Sequence, residues 1–227
     1  MTVAYVQSNS GANVSATSLA VAYTSNNTAG GLLTAYVRIG ALGRTITVSD
    51  TANGTWSTQV LTQQQSADAH QAYIFSFPNC AAGANTVTVA ISGAAATIRF
   101  AIIEDSGCSS TAATEGTNSA QGITTAVASG TTSTGNAGDI LRGFVTINGG
   151  ATLSAEGFAG SPGGSVTVRQ SISTYIYVFD IVNPGTTGSY GATGTENTGQ
   201  NWTASFAAFL PSPYTSSHNG LLLVGVG

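Results

Sequence analysis

The segment Thr86-Val-Thr-Val-Ala-Ile91 decides the fold, because small or polar residues alternate in it with β-branched apolar ones. Its three apolar residues share one face of a strand and the other three share the opposite face. The same period of two runs through Tyr73–Phe77 and Tyr175–Ile181. Strands prefer such β-branched and aromatic residues. No segment keeps the 3.6-residue period of a helix, so the sequence predicts an all-β protein.

Turn-forming clusters separate these alternating segments, as in Asp50-Thr-Ala-Asn-Gly54 and Gly160-Ser-Pro-Gly-Gly164. Glycine supplies the positive φ angles that tight turns need, and Asp or Asn side chains bond to the backbone two residues on. Short strands that alternate with turn clusters at this spacing are typical of a sandwich or barrel.

A weak internal repeat adds to this interpretation. Three pairs of segments align: Gly31–Ile39 with Asp139–Ile147, Tyr73–Phe77 with Tyr175–Phe179, and Arg99–Ile103 with Ser205–Phe209. We therefore predict a jelly-roll-like β-sandwich with two similar chain halves, about 1–110 and 137–211, in one domain over residues 1–211. Two tandem sandwiches with a boundary near residues 110–137 remain the alternative.

The charge content restricts the partners of this chain. Only 6% of its 227 residues are charged, lysine is absent and the formal net charge is -4. Nucleic-acid binding needs a basic stripe, which five scattered arginines do not supply. No apolar run reaches the roughly 18 residues of a spanning helix, and Met1–Gln7 has no signal-peptide pattern. We expect no nucleic acid, no membrane insertion, and a virion or extracellular location.

The extension over residues 212–227 ends in the uncharged apolar segment Leu221, Leu222, Leu223 and Val224. An uncharged strand at a chain end invites aggregation unless it is paired. We expect these four residues to be buried, either in the chain's own sheet or against a neighbouring subunit. The second alternative predicts a homo-oligomer or contacts with other virion or assembly proteins.

Two cysteines, Cys80 and Cys108, are too few for a zinc site. A disulfide between them would close a loop of about 28 residues and add on the order of 3 kcal/mol of stability. Two free thiols packed in the core are the alternative.

Two features suggest weak binding sites. Trp56 follows a turn, a position that favours exposure of an aromatic ring, and is the better candidate for carbohydrate binding, with Tyr36 as a second one. Core packing is the alternative for Trp56 and the one that we favour. Asp50 and Asn53 offer oxygen atoms to calcium, although the segment is not an EF-hand loop. Trp202 is in phase with apolar residues of its strand, so we expect it in the core.

The residues that carry catalysis in other proteins form no recognisable motif, so we predict no enzyme, no catalytic residue and no cofactor other than calcium. Asp105-Ser-Gly107 lacks the second aspartate that an aspartic protease needs. His70, near Asp68, is expected in a solvated loop. A glycosidase would need a carboxylate pair, and the candidates are Glu104, Asp105, Glu156 and Asp180.

Several phrases resemble those of bacterial extracellular and phage-associated β-sandwich surface proteins. They are Gly31-Leu-Leu-Thr-Ala-Tyr-Val37, Val48-Ser-Asp-Thr-Ala-Asn-Gly-Thr-Trp56, Ala82-Gly-Ala-Asn-Thr-Val-Thr-Val89 and Trp202-Thr-Ala-Ser-Phe-Ala-Ala-Phe-Leu-Pro211. The resemblance implies structural display, decoration of a particle, or contact with carbohydrate.

Together these features favour a non-enzymatic structural protein of a virion surface or extracellular assembly, such as a capsid decoration protein, that acts through oligomerisation and surface contacts. A carbohydrate-binding module or lectin-like domain with glycan partners is the first alternative. A glycoside hydrolase is the second.

Overall fold

The computed structural model describes residues 2–111 and 114–213. Strands follow one another along both described ranges, joined by turns and loops. The strands of the first half are β1 Ala4–Ala16, β2 Ser18–Ala22, β3 Leu32–Ile39, β4 Ile46–Asp50, β5 Gly54–Thr55, β6 Thr58–Gln65, β7 His70–Phe77, β8 Thr86–Ile91 and β9 Ala96–Ser106.

The strands of the second half are β10 Thr114–Gly122, β11 Ala126–Ala128, β12 Thr132–Thr134, β13 Ile140–Ile147, β14 Leu153–Ala159, β15 Thr167–Ile172, β16 Ile176–Val182, β17 Gly188–Glu196 and β18 Trp202–Phe209. Among all the described residues, no helix is long and apolar enough to cross a membrane.

Each half builds one five-stranded antiparallel sheet and a smaller sheet. The five-stranded orders are β1-β9-β3-β7-β6 and β10-β18-β13-β16-β15, and each strand of one half has an equivalent in the other. The smaller sheets are β2-β8-β4-β5 in the first half and β11, β12 and β14 around β17 in the second. The predicted all-β sandwich with two similar chain halves is therefore confirmed.

Three apolar clusters hold the sheets together. One lies between the two sheets of the first half, and one lies in the same place in the second half. The third joins the halves, because it takes residues from both five-stranded sheets, including Tyr36 and Phe144. Strands β3 and β13 are consequently buried on both faces along their whole length.

The edge strands carry every register irregularity among the described strand pairs. The pairs with an irregular register are β1 with β9, β6 with β7, β10 with β18, β14 with β17 and β15 with β16. Pairs between inner strands, such as β3 with β7, run without a break. A β-bulge twists an edge and hinders its pairing with another chain, which matters here because these edges have few charges.

Candidate functional site

A buried ion-pair cluster lies between the halves and centres on Arg142 of β13. Its Nη2 donates to Asp105 Oδ2 of the first half at 2.7 Å, and its Nη1 donates to Asp180 Oδ2 at 2.8 Å. All three residues are almost completely buried. Burial disfavours the Arg142 charge, but Asp105, Tyr36 and Asp180 outweigh it and raise the pKa of Arg142. The cluster thus keeps a charged arginine in a dry interface.

Three further arginines reach across the same interface to an aromatic ring of the opposite half. Arg38 and Arg99 lie over the Tyr175 ring, with guanidinium carbons 5.1 and 3.8 Å from its centroid. Arg169 lies 4.0 Å from the centroid of Tyr5 and also donates to Asp180. Of the five arginines, only Arg44 has no such contact across the interface in the described part of the chain. The outer surface therefore has very few cations.

A hydrogen-bonded chain from Asp68 to Thr203 also crosses the interface. His70 Nδ1 lies 2.7 Å from Asp68 Oδ1, and His70 Nε2 lies 2.7 Å from Thr146 Oγ1, which is 2.7 Å from Thr203 Oγ1. Since Asp68 only accepts, His70 donates from Nδ1, and the two threonine hydroxyls donate in sequence towards Nε2. Burial lowers the pKa of His70.

The expectation that His70 is a solvated loop residue was wrong. His70 begins β7 and is completely buried, as are Thr146 and Thr203. The hydroxyl, imidazole and carboxylate are arranged as in a nucleophile–base–acid triad. The Thr146 hydroxyl is completely buried, and its hydrogen bonds join His70 of the first half to Thr203 of the second.

The structure places both aromatic candidates for sugar binding in the interior, which for Trp56 is the core packing that the sequence favoured. Trp56 is 3% exposed, packs against Phe77 at a centroid distance of 6.0 Å, and donates its indole N–H to Asp50 Oδ2 at 2.7 Å. Tyr36 is 0% exposed and lies in the interface between the halves. Neither ring presents a face to solvent. Trp202 is buried, as predicted.

The turn proposed for calcium brings Asp50 and Asn53 together. The contacts between them are hydrogen bonds that Asn53 donates to the Asp50 carboxylate. Asp50 Oδ1 accepts from the backbone N–H of Ala52 and Asn53, and both carboxylate oxygens accept from the Asn53 side-chain amide. With Trp56 as a further donor, the Asp50 carboxylate already has its full set of partners. Its calcium role stays a prediction.

Three of the four carboxylates considered for glycoside hydrolysis lie in the interior. Glu104 accepts hydrogen bonds from Gln7, Asn27 and the Thr28 backbone. Asp105 and Asp180 both bind Arg142 and therefore share a guanidinium group, where an aspartic protease pair would share a proton. Glu156 lies on β14 and is only partly buried.

Cys80 and Cys108 are free, buried thiols and form no disulfide. The alternative of two packed thiols is therefore the one observed. Burial raises the pKa of both, that of Cys80 to about 11. Cys108 lines a mostly apolar pocket of about 300 Å³ together with Gly30, Gly31 and Gly107.

Four exposed valines lie on or beside the two strands that meet where the halves join on one side. Strand β1 of the first half contacts β15 of the second, and Gln170 donates to the Ser8 hydroxyl at 2.7 Å. Val6, Val14, Val166 and Val168 lie on these strands or beside them and are 39%, 75%, 37% and 45% exposed. We call these four residues the valine surface.

Leu221, Leu222, Leu223 and Val224 lie outside the described residues. Among residues 2–111 and 114–213, no group of three or more His, Cys, Asp or Glu side chains is placed to hold a metal ion. No protein-family model matches the chain, and no curated protein matches it.

Proposed function

We propose that this chain is a non-enzymatic structural protein of a virion surface or extracellular assembly, and that it self-associates through the valine surface. The exposure of Val6, Val14, Val166 and Val168 on adjoining edge strands is the observation that carries the proposal. Exposed apolar residues grouped on one side of a soluble protein favour an interaction site there.

The chemistry around the valine surface favours a second copy of this chain as the partner. Strand β1 contains no charged residue, and β15 contains only Arg169. That guanidinium is already engaged by Asp180 and by the Tyr5 ring. An almost neutral surface meets a copy of itself without charge repulsion, as a two-fold symmetric interface requires.

Side-chain packing, not strand pairing, is the expected mode of contact at this surface. Both β1 and β15 carry a β-bulge, which opposes continuation of their sheets into a neighbour. Strand exchange by Leu221–Val224 is a separate prediction for the C-terminal segment. Each mode adds to the other if both operate.

The architecture is compatible with this role. We infer that the first half is jelly-roll-like, because one sheet has the order β1-β9-β3-β7 with β6 added at its edge and the other has the order β2-β8-β4-β5. Jelly rolls occur in capsid and lectin domains. This is support by analogy of fold, which by itself does not determine function.

Sedimentation velocity on surface variants tests the proposal. Val6→Asp with Val168→Asp places two charges on the valine surface and should convert an oligomer to a monomer at micromolar concentration. Ile123→Asp is the matched control, because Ile123 is 62% exposed but lies outside this surface. Equal sedimentation of wild type and the double variant would overturn the proposal.

A further inference from the structure

A second carboxylate pair lies in the second half and joins the partly buried Glu115 to the buried Asp139. Glu115 is near the start of the edge strand β10, and Asp139 directly precedes β13. Asp139 is 0% exposed. Burial raises the pKa of Asp139, and the neighbouring Glu115 carboxyl raises that pKa further through its charge.

Three of the four oxygens in this pair have no hydrogen-bond donor within residues 2–111 and 114–213. Glu115 Oε1 accepts from the Gly135 backbone N–H at 2.7 Å and from the Asn136 amide at 3.2 Å. Glu115 Oε2 and both Asp139 oxygens are buried without a hydrogen-bond partner among the described residues. The Thr134 hydroxyl, one residue before Gly135, is also buried and unpartnered.

Two other buried carboxylates, Asp50 and Asp180, contrast with this pair. Asp50 has donors on both oxygens, and Asp180 binds two arginines. Neither Glu115 nor Asp139 takes part in any of the salt bridges of the described residues. Burying carboxylates without a counter-charge is costly, so such a pair needs either a shared proton or a cation.

We propose that Glu115 and Asp139 bind a hard divalent cation of the calcium type. Carboxylate oxygens are its preferred ligands, and calcium accepts irregular geometry with water in the remaining positions. The ion has a route in, because Glu115 lines an open groove of about 400 Å³ between β6 and β10. Asp139 lies behind Glu115 and supplies the two unpartnered oxygens.

Calorimetric titration and thermal melting of the chelator-treated full chain test this site. At mildly alkaline pH, millimolar calcium chloride should give a binding isotherm and raise the Tm by at least about 3 °C. Asp139→Asn should abolish both effects. Glu156→Gln is the matched control and should keep them, because Glu156 lies on β14 outside the pair.

The alternative is a pair that holds only a proton. In that case wild type shows no calcium isotherm and no Tm shift, and this result overturns the proposal. An equal calcium response in Asp139→Asn also overturns it. If Asp139→Asn does not fold, Glu115→Gln repeats the test from the side chain that lines the groove.

Discussion

Tyr36 and Phe144 meet edge to face between the two halves, with ring centroids 5.5 Å apart and an interplanar angle of 64°. They occupy equivalent positions, since Tyr36 pairs with Ile74 of β7 and Phe144 pairs with Val178 of β16. Strand β1 contacts β15, and β6 contacts β10, which is the reciprocal pattern of a two-fold interface. The two halves of the chain therefore meet about an approximate two-fold axis, as the subunits of a symmetric dimer do.

The first prediction concerns the ion pairs of Arg142. Arg142→Met leaves Asp105 and Asp180 buried without their shared cation and should lower the free energy of unfolding by about 3–5 kcal/mol. The corresponding fall in Tm is roughly 10 °C, measured by calorimetry. Arg44→Met is the control, because Arg44 forms none of the salt bridges of the described residues. A loss as small as the control's would contradict the structural role of the cluster.

The second prediction concerns pH. Burial lowers the folded-state pKa of His70 below its unfolded value of about 6.5. Below that value the unfolded state binds more protons at this residue, so the His70 contribution falls as the pH drops towards the folded pKa. The slope reaches at most about 1.4 kcal/mol per pH unit.

Denaturant unfolding of wild type and His70→Gln between about pH 5 and 7 measures this contribution as a difference. The comparison is needed because burial raises the pKa of Asp105 to about 6, which gives a slope of opposite sign in the same window. The stability lost on acidification should be smaller in the variant. Parallel profiles for the two proteins would show that His70 is not held neutral by burial.

The third prediction concerns the two thiols. Cys80 and Cys108 are 2% and 4% exposed, and burial raises the pKa of both. The thiolate is the reactive species, so neither should react with a thiol reagent within minutes in the folded protein. Both should react once guanidinium unfolds the chain. Rapid labelling without denaturant, or a Tm that falls on reduction, is the result that contradicts buried free thiols.

Period-two alternation predicted the strands and their buried faces well. Val87, Val89 and Ile91 of β8 are buried, and the residues between them are partly exposed. The repeat was found from sequence, but its segments were aligned inconsistently. With Val37 set equal to Val145, the pairing makes Tyr73 equivalent to Tyr177 and not to Tyr175. Shifting an alignment by two residues leaves every side chain on the same face of its strand, so the alternating pattern does not reveal such an error.

The interface between the halves was not predictable from local pattern. Thr34, Arg38 and Arg142 occupy strand positions that a solvent-facing side of a sandwich would fill with polar residues, yet each packs against the other half. Core packing was the favoured alternative for Trp56, but its neighbour Phe77 was not predicted, because Phe77 reaches it from a distant strand. One feature of the sequence did indicate a buried interface. Only 6% of the residues are charged, which is too few to cover two exposed sheet faces with charged side chains.

The mass of the full chain in solution tests the central claim of self-association most directly. Light scattering at micromolar concentration should give a defined oligomer of the 22.6 kDa chain. A 1–211 truncation measured beside it separates the two modes: an unchanged mass assigns the contact to the valine surface, and a reduced mass assigns part of it to the C-terminal segment. A monomer mass for the full chain throughout the concentration range would contradict the account.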